Sequence, residues 1–329
     1  MTPRRPVHLV ASPGGHLNLL ERLSVAVPRD LRRWVTAPGP RGEQLARDGE
    51  DVTILPQYGR NPRELAAGLR AAAHAVRRDR PRIVVSTGAG SAALYCAVAR
   101  AAGARVVFAE TMARVTGPSA SGLVTARLAG RTLVQWPEMA AVYPRARVCR
   151  PLLLEDVGAP LDPGAQGTLL IVGTHTAPFD RLVALFAQAV RDGVLPGPVL
   201  AQVGPSQVPI PDAEVHEFLP PAAMADAIAR ARIVVSHGGA GSLSAALRTG
   251  HRPLVLGRAK AHGEHFDDHQ QQLMAKLASS DLVVALDGRL EARHVADALR
   301  PLPRPGDTGL PSLVDALGDE LDRLGLAAL

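Results

Sequence analysis

Two histidines in this 329-residue chain adjoin glycine-rich turns, and each turn follows an apolar run. The first turn is Ser12-Pro13-Gly14-Gly15-His16, after Val7–Ala11. The second is His237-Gly238-Gly239-Ala240-Gly241-Ser242, after Ile233–Ser236. A glycine turn that opens a helix leaves N–H groups without intrahelical acceptors, and such groups suit a phosphate. An imidazole that titrates near neutrality suits removal of a proton from a hydroxyl. One strand after the second turn comes a polar stretch holding Glu264, Asp268, Gln270 and Gln271. Carboxylates and amides both bind sugar hydroxyls. A phosphate cradle, a sugar-binding stretch and a candidate base together imply chemistry on a nucleotide sugar. One glycine turn alone needs glycine for steric reasons; two, each beside a His, carry more weight. Thr87-Gly88-Ala89-Gly90 adds a third turn at the end of an apolar run.

Apolar runs alternate with helical periodicity along the chain, which is what must position these turns. Strands are expected at Val7–Ala11, Trp34–Ala37, Val52–Leu55, Ile83–Ser86, Arg105–Ala109 and Thr132–Gln135, with Ala- and Arg-rich helices such as 62–78 and 91–101 between them. The stretch 151–167, with Pro151, Pro160, Pro163 and several glycines, reads as a linker. A second series follows, with strands at Leu169–Gly173, Val199–Val203, Ile233–Ser236, Pro253–Gly257 and Leu282–Ala285. The last helix places Leu310, Leu313, Val314, Leu317, Leu321 and Leu324 on one face. Strands alternating with helices predict parallel sheets covered on both faces. The fold class expected is therefore α/β, with two Rossmann-like domains facing a cleft. The expected boundaries are 1–155, 156–309 and a C-terminal helix, 310–329, packing back on the first domain.

Hydrophobic residues make up 47% of the chain and aromatics 3%, so Leu, Val, Ile and Ala must build the core, as layered α/β packing allows. Residues 1–162 hold 23 Lys+Arg against 13 Asp+Glu, and residues 163–329 hold 14 against 18. A basic first half suits an anionic membrane surface or a pyrophosphate, although an Arg-rich solvated surface explains it equally well. Nucleic acid is not expected, because no basic stretch is interleaved with aromatics. Cys96 and Cys149 are too few for a disulfide framework and point to a reducing compartment. Residues 83–99 are 17 uncharged positions with a glycine turn at their centre, short of the ~20 a spanning helix needs. The location expected is cytoplasmic, peripheral on the inner face of the cell membrane. His262, His265 and His269 lack the carboxylate–His pattern of a zinc site, and no metal or cofactor is expected.

Val234–Gln272 resembles the donor domain of the inverting glycosyltransferases of family 28. Within that family it is similar to the small catalytic subunit of the two-subunit UDP-GlcNAc transferase that acts on a lipid pyrophosphate-linked sugar, and to paired proteins of bacterial exopolysaccharide synthesis. LLIVGTHTAPFDRLV (169–183) and GEHFDDHQ (263–270) share that likeness. ASPGGHLNLL (11–20), VVSTGAG (84–90), AETMARVTGPSASG (109–122) and LVQWPE (133–138) resemble the acceptor and membrane-recruiting partner subunit. The chain thus looks like a fusion of both in acceptor-then-donor order. The resemblance implies a GT-B fold and transfer of a hexose or N-acetylhexosamine from a UDP-sugar to a lipid-linked (polyprenyl pyrophosphate) or saccharide acceptor.

It also implies roles for residues. Gly238, Gly239, Gly241, Ser242 and His237 hold the diphosphate, while Asp268, Gln270 and Gln271 hold the sugar. His16 is the candidate general base, with Glu110 the runner-up; the alternative for Glu110 is a buried ion pair with Arg114. Gly14, Gly15, Thr87, Gly88 and Arg114 belong to the acceptor side. One position departs from the family pattern. Ala245 stands where these donor domains carry a Glu that binds the ribose hydroxyls, and Glu264 is a candidate substitute. Two other readings stay open: a GT-B nucleotide-sugar 2-epimerase, and a catalytically weak binding scaffold.

Overall fold

The structure is a computed structural model that describes residues 5–56, 61–158, 160–175, 177–262, 264, 269–303, 306 and 308–326. Two compact units divide the chain: Met1–Pro151 with Thr308–Leu329, and Leu152–Asp307.

In the first unit, β1 (Val7–Ala11), β2 (Arg32–Thr36), β3 (Val52–Ile54), β4 (Ile83–Gly88), β5 (Arg105–Ala109), β6 (Arg131–Val134) and β7 (Ala146–Val148) form one sheet. Its order is β3-β2-β1-β4-β5-β6-β7, and every pair is parallel. Central β1 and β4 are buried along their whole length, as parallel strands with both faces covered must be. On the 18-residue helix Pro62–Asp79, Asn61 accepts the Arg63 N–H at 2.9 Å and Pro62 occupies the first turn. This helix buries only Gly68, Ala72, Ala75 and Val76, so it lies close against Gly90–Ala101. His8 on β1 is wholly buried, 2.6 Å from the Tyr95 hydroxyl and 3.3 Å from the Asp79 carboxylate.

The helix Leu313–Arg323 belongs to this first unit. Ser312 accepts the Asp315 N–H at 3.0 Å and starts it. Leu313, Leu317 and Leu321 are fully buried beneath it, and Arg147 reaches Asp319 at 2.8 Å.

In the second unit, β8 (Thr168–Ile171), β9 (Val199–Gln202), β10 (Ala213–His216), β11 (Ile233–Ser236), β12 (Leu254–Val255) and β13 (Val284–Ala285) form a parallel sheet in the order β10-β9-β8-β11-β12-β13. Phe179, Leu182 and Phe186 pack on one face, with Ile228 and Ala246 on the other.

Four elements differ from the sequence expectation. The short edge strands β7 and β10 were not foreseen; ARV and AEVH mix charged with apolar residues and are only partly buried. The expected linker at 151–167 begins with a helix, Leu152–Glu155, and the buried Asp156 beyond it accepts a hydrogen bond from Ser244 Oγ at 2.5 Å. The end of the polar stretch, for which no helix was expected, opens the helix His269–Ser279, because Leu273, Met274 and Leu277 bury one of its faces.

Strand order reverses between β1 and β4 in the first sheet, and between β8 and β11 in the second. In open parallel sheets the carboxyl ends of the strands at such a switch point are where ligands bind. The first and third glycine turns flank the first switch point, and His237–Ser242 flanks the second.

Candidate functional site

At the first switch point the turns after β1 and β4 are tied together. Ser12 Oγ and Ser91 Oγ lie 2.7 Å apart. His16 Nδ1 lies 2.7 Å from the Thr87 carbonyl, and Thr87 Oγ1 donates to the His16 carbonyl at 2.7 Å. A carbonyl only accepts, so His16 Nδ1 carries a proton, and Nε2 is the nitrogen left to accept one. That is the arrangement a general base requires, oriented by a backbone carbonyl. Gly14 and Gly15 are exposed beside it. On the other turn Ala89 adopts φ 72° and ψ 169°, a conformation close to glycine-only, between Gly88 and Gly90.

Glu110, just beyond β5, is 2% exposed. One carboxylate oxygen accepts the Thr111 N–H at 2.8 Å, and the other accepts the Tyr143 hydroxyl. Burial raises its pKa, while Tyr143, the Thr111 N–H and the nearby His16 and Arg114 pull it down. A Cβ built on Gly122 would sit 2.9 Å from Glu110 Oε2 and 2.5 Å from the Tyr143 hydroxyl, so the carboxylate is walled in. Glu110 is thus held by Thr111 and Tyr143 in the wall beyond β5, while His16 is half-buried beside the exposed Gly14 and Gly15.

At the second switch point His237 plays a different part from the phosphate donor expected of it. Its backbone N–H and its ring Nδ1 both approach the Ile171 carbonyl, at 3.0 and 3.2 Å. Burial lowers its pKa to about 4, so the ring is neutral at pH 7 and its one N–H is spent on that carbonyl. The opposite ring edge packs between two glycines. A Cβ on Gly173 would come within 2.5 Å of Nε2, and one on Gly239 within 2.3 Å. His237 is therefore the wedge that sets the turn after β8 against the turn after β11. Anion donors remain in the first-turn N–H groups of Ala240–Arg248 and in the half-buried Ser242, with Gly241 exposed alongside.

Glu264 is also held otherwise than expected. Arg181 grips its carboxylate in two bonds of 2.8 and 3.1 Å, and the Ala259 N–H donates to it at 3.0 Å. Burial pushes its pKa up, but Arg181 and that N–H outweigh it and hold the carboxyl below its usual range. Arg181 also donates to the Gly257 carbonyl, and both Arg181 and the buried Arg258 stack on Phe179 at 5.4 and 4.6 Å. The carboxylate thus pins the segment after β12, which accounts for it without a ribose. Gln270 and Gln271 stand in the first turn of His269–Ser279, where Gln271 is exposed. Asp268 and His265 lie outside the described residues. Among the described residues no group of three or more His, Cys, Asp or Glu gathers as for a metal, and no helix is long and apolar enough to cross a membrane.

Sequence reasoning passed over Gly173, Arg181 and Arg258. VGTH after β8 repeats the pattern of an apolar strand, glycine and nearby His, and that was the available signal for Gly173. Nothing local marks the two arginines, whose partners lie about 80 residues away.

Residues 169–301 match the glycosyltransferase family 28 C-terminal domain, and residues 61–152 match the oligosaccharide biosynthesis protein Alg14-like family. The chain is similar to the UDP-N-acetylglucosamine transferase subunit ALG14 of Eremothecium gossypii, with 33% identity covering 44% of this chain and 79% of that protein. The ALG14 subunit of Yarrowia lipolytica is 26% identical, covering 41% of this chain and 62% of its own length. Among solved structures, Acinetobacter baumannii MurG superposes with a TM-score of 0.62 at 16% identity, covering 97% of this chain and all of that one. A UDP-GlcNAc 2-epimerase from Methanocaldococcus jannaschii superposes with a TM-score of 0.64 at 8% identity, covering 97% and 99%. At such identities these two likenesses show the fold, which is GT-B.

Proposed function

The chain belongs to glycosyltransferase family 28, and from that premise we propose that it is a transferase joining an Alg14-like acceptor half to a family 28 donor half in one polypeptide. It moves a hexose or N-acetylhexosamine from a UDP-sugar to a lipid-linked acceptor, with inversion, at the inner face of the membrane. The observation that carries this is the His16 orientation: Nδ1–H donates to the Thr87 carbonyl, which leaves Nε2 as the candidate base.

In the step proposed, the acceptor hydroxyl attacks the anomeric carbon and its proton passes to His16 Nε2. The new C–O bond forms as the bond from the anomeric carbon to the diphosphate breaks. The first-turn N–H groups of Ala240–Arg248 and Ser242 take up charge on the departing nucleotide diphosphate. Thr87 orients the base, and Glu110 is held by Tyr143 and the Thr111 N–H. An epimerase shares the fold, but the Alg14-like match over residues 61–152 favours transfer to an acceptor.

The test is incubation with UDP-GlcNAc and a polyprenyl-pyrophosphate sugar, followed by mass spectrometry of the lipid. A lipid heavier by one sugar, with UDP released in equal amount, is expected. Conversion of the donor to its 2-epimer with no lipid product would replace this reading. Failure of every nucleotide sugar to raise the melting temperature would remove it.

A further inference from the structure

A parallel sheet is ordinarily covered by helices on both faces. In the second unit that cover is incomplete, because residues 203–212, which join β9 to β10, form no helix. On the face that Ile228 and Ala246 pack against, Leu169, Leu200 and Glu214 stand side by side in register across β8, β9 and β10. With Ala227 they line a cavity of about 570 Å³, to which Asp162 and Asp212 add exposed carboxylates. Arg230 also lines it, but is paired with Asp226 at 2.5 Å, and Glu214 meets His216 Nε2 at 2.7 Å. The result is an apolar groove with an acidic rim. It opens at the amino ends of β8 and β9, whereas the glycine turns stand at the carboxyl ends.

The first unit carries a surface of the opposite kind. On the helix Pro62–Asp79, Leu65 and Leu69 are 44% and 40% exposed and stand one turn apart. Arg63, Arg70 and Arg77, at i, i+7 and i+14, are exposed beside them. Leucines at i and i+4 are the anchors with which an amphipathic helix enters an apolar groove, and the arginines match the acidic rim. The charge of the whole chain is divided in the same sense. Residues 1–162 hold 23 Lys+Arg against 13 Asp+Glu, and residues 163–329 hold 14 against 18, which steers unlike ends of two copies together.

We infer that this chain associates head to tail with further copies of itself. Leu65 and Leu69 of one copy enter the groove over Leu169 and Leu200 of the next, and Arg70 reaches Asp212 and Glu214. The contact is heterologous, so each end copy keeps a free helix or a free groove, and growth runs on to chains or a ring. A cavity of this size takes two leucine side chains and not a whole helix, which places the contact among the weak, concentration-dependent ones. It uses none of the donor or acceptor turns and stands independently of the reaction proposed above.

Analytical ultracentrifugation of the full-length protein over a rising concentration series tests this. A mass that climbs past that of a dimer is expected; a monomer throughout overturns the proposal. Leu69→Glu with Arg70→Glu removes the helix end, and Asp212→Asn with Glu214→Arg removes the groove end. All four side chains are exposed, and unchanged melting temperatures verify that both variants fold. Each variant alone is expected to self-associate at least about tenfold more weakly. Mixed, they present one intact helix and one intact groove, and are expected to form a one-to-one dimer and nothing larger. Wild-type association by either variant alone, or a mixture that stays monomeric, overturns the proposal. Phosphatidylglycerol vesicles are the competing occupant of the helix. Vesicle binding that Leu69→Glu with Arg70→Glu abolishes, in a protein that never self-associates, assigns that face to a bilayer instead.

Discussion

His16 and His237 occupy matching places in their turns and have opposite uses of one imidazole. Each spends its Nδ1 proton on a backbone carbonyl. His16 is half-buried beside the exposed Gly14 and Gly15, whereas Nε2 of His237 is pressed between Gly173 and Gly239. His16→Ala is therefore expected to lower kcat by about 10²- to 10⁴-fold with donor affinity unchanged. Retention of most turnover would take His16 out of the chemistry. At the other turn a methyl must displace the ring, so Gly239→Ala is expected to cost about 1–3 kcal/mol. In a His237→Ala background the same change should cost almost nothing, since the obstructing ring is gone. Urea unfolding of the four proteins of this cycle gives the coupling, and simple additivity would refute the wedge.

At the scale of elements, the ion pair between Arg181 and Glu264 fastens the segment after β12 to the start of the helix Asp180–Arg191. Arg181→Ala leaves a mostly buried carboxylate with one N–H donor. It is expected to lower the stability of the second unit by about 1–3 kcal/mol and to raise KM for the donor more than it changes kcat. Equal stability in calorimetric melting would show that the clamp does little. The central strands were legible in the sequence because parallel strands buried on both faces read as mainly apolar runs: β1 is VHLVA, interrupted only by His8, and β11 is IVVS. Edge strands β7 and β10 were not, since a half-exposed edge tolerates Arg147 and Glu214. The helix His269–Ser279 was hidden by a first turn, HQQQ, with no apolar residue. Glycine turns announce a phosphate cradle locally. The direction in which a ring or a carboxylate finally points is set across 66 residues for His237 and 83 for Glu264, and no local pattern carries that.

Across the whole molecule, each unit holds a histidine neutral: the buried His8 in the first and the half-buried His237 in the second, both lowered to about 4, chiefly by desolvation. An unfolded chain binds those protons near pH 6.5. Between these values the unfolded state holds more protons, so stability is complete above about pH 6.5 and declines as the pH falls towards 4. Glu110, raised by burial, acts in the opposite sense. The urea midpoint is expected to be lower at pH 5 than at pH 7.5, and His8→Gln should flatten that slope in the first unit; a slope unchanged by the substitution would exclude His8 as its source. A chain ending at Asp307 loses Leu313, Leu317 and Leu321, each fully buried and worth about 1.5–3 kcal/mol, a sum comparable with the stability of a typical domain. Its first unit is expected to melt far lower, and an unchanged melting curve would contradict the packing described. That returning helix also fixes an order of assembly on the ribosome. The second unit is continuous in sequence and can close its sheet as it emerges, while the first must wait for residues made after it. At translation speeds of 5–20 residues per second, the apolar floor beneath Leu313–Arg323 stays bare for roughly ten to thirty seconds, which makes the nascent first unit a natural client for chaperones.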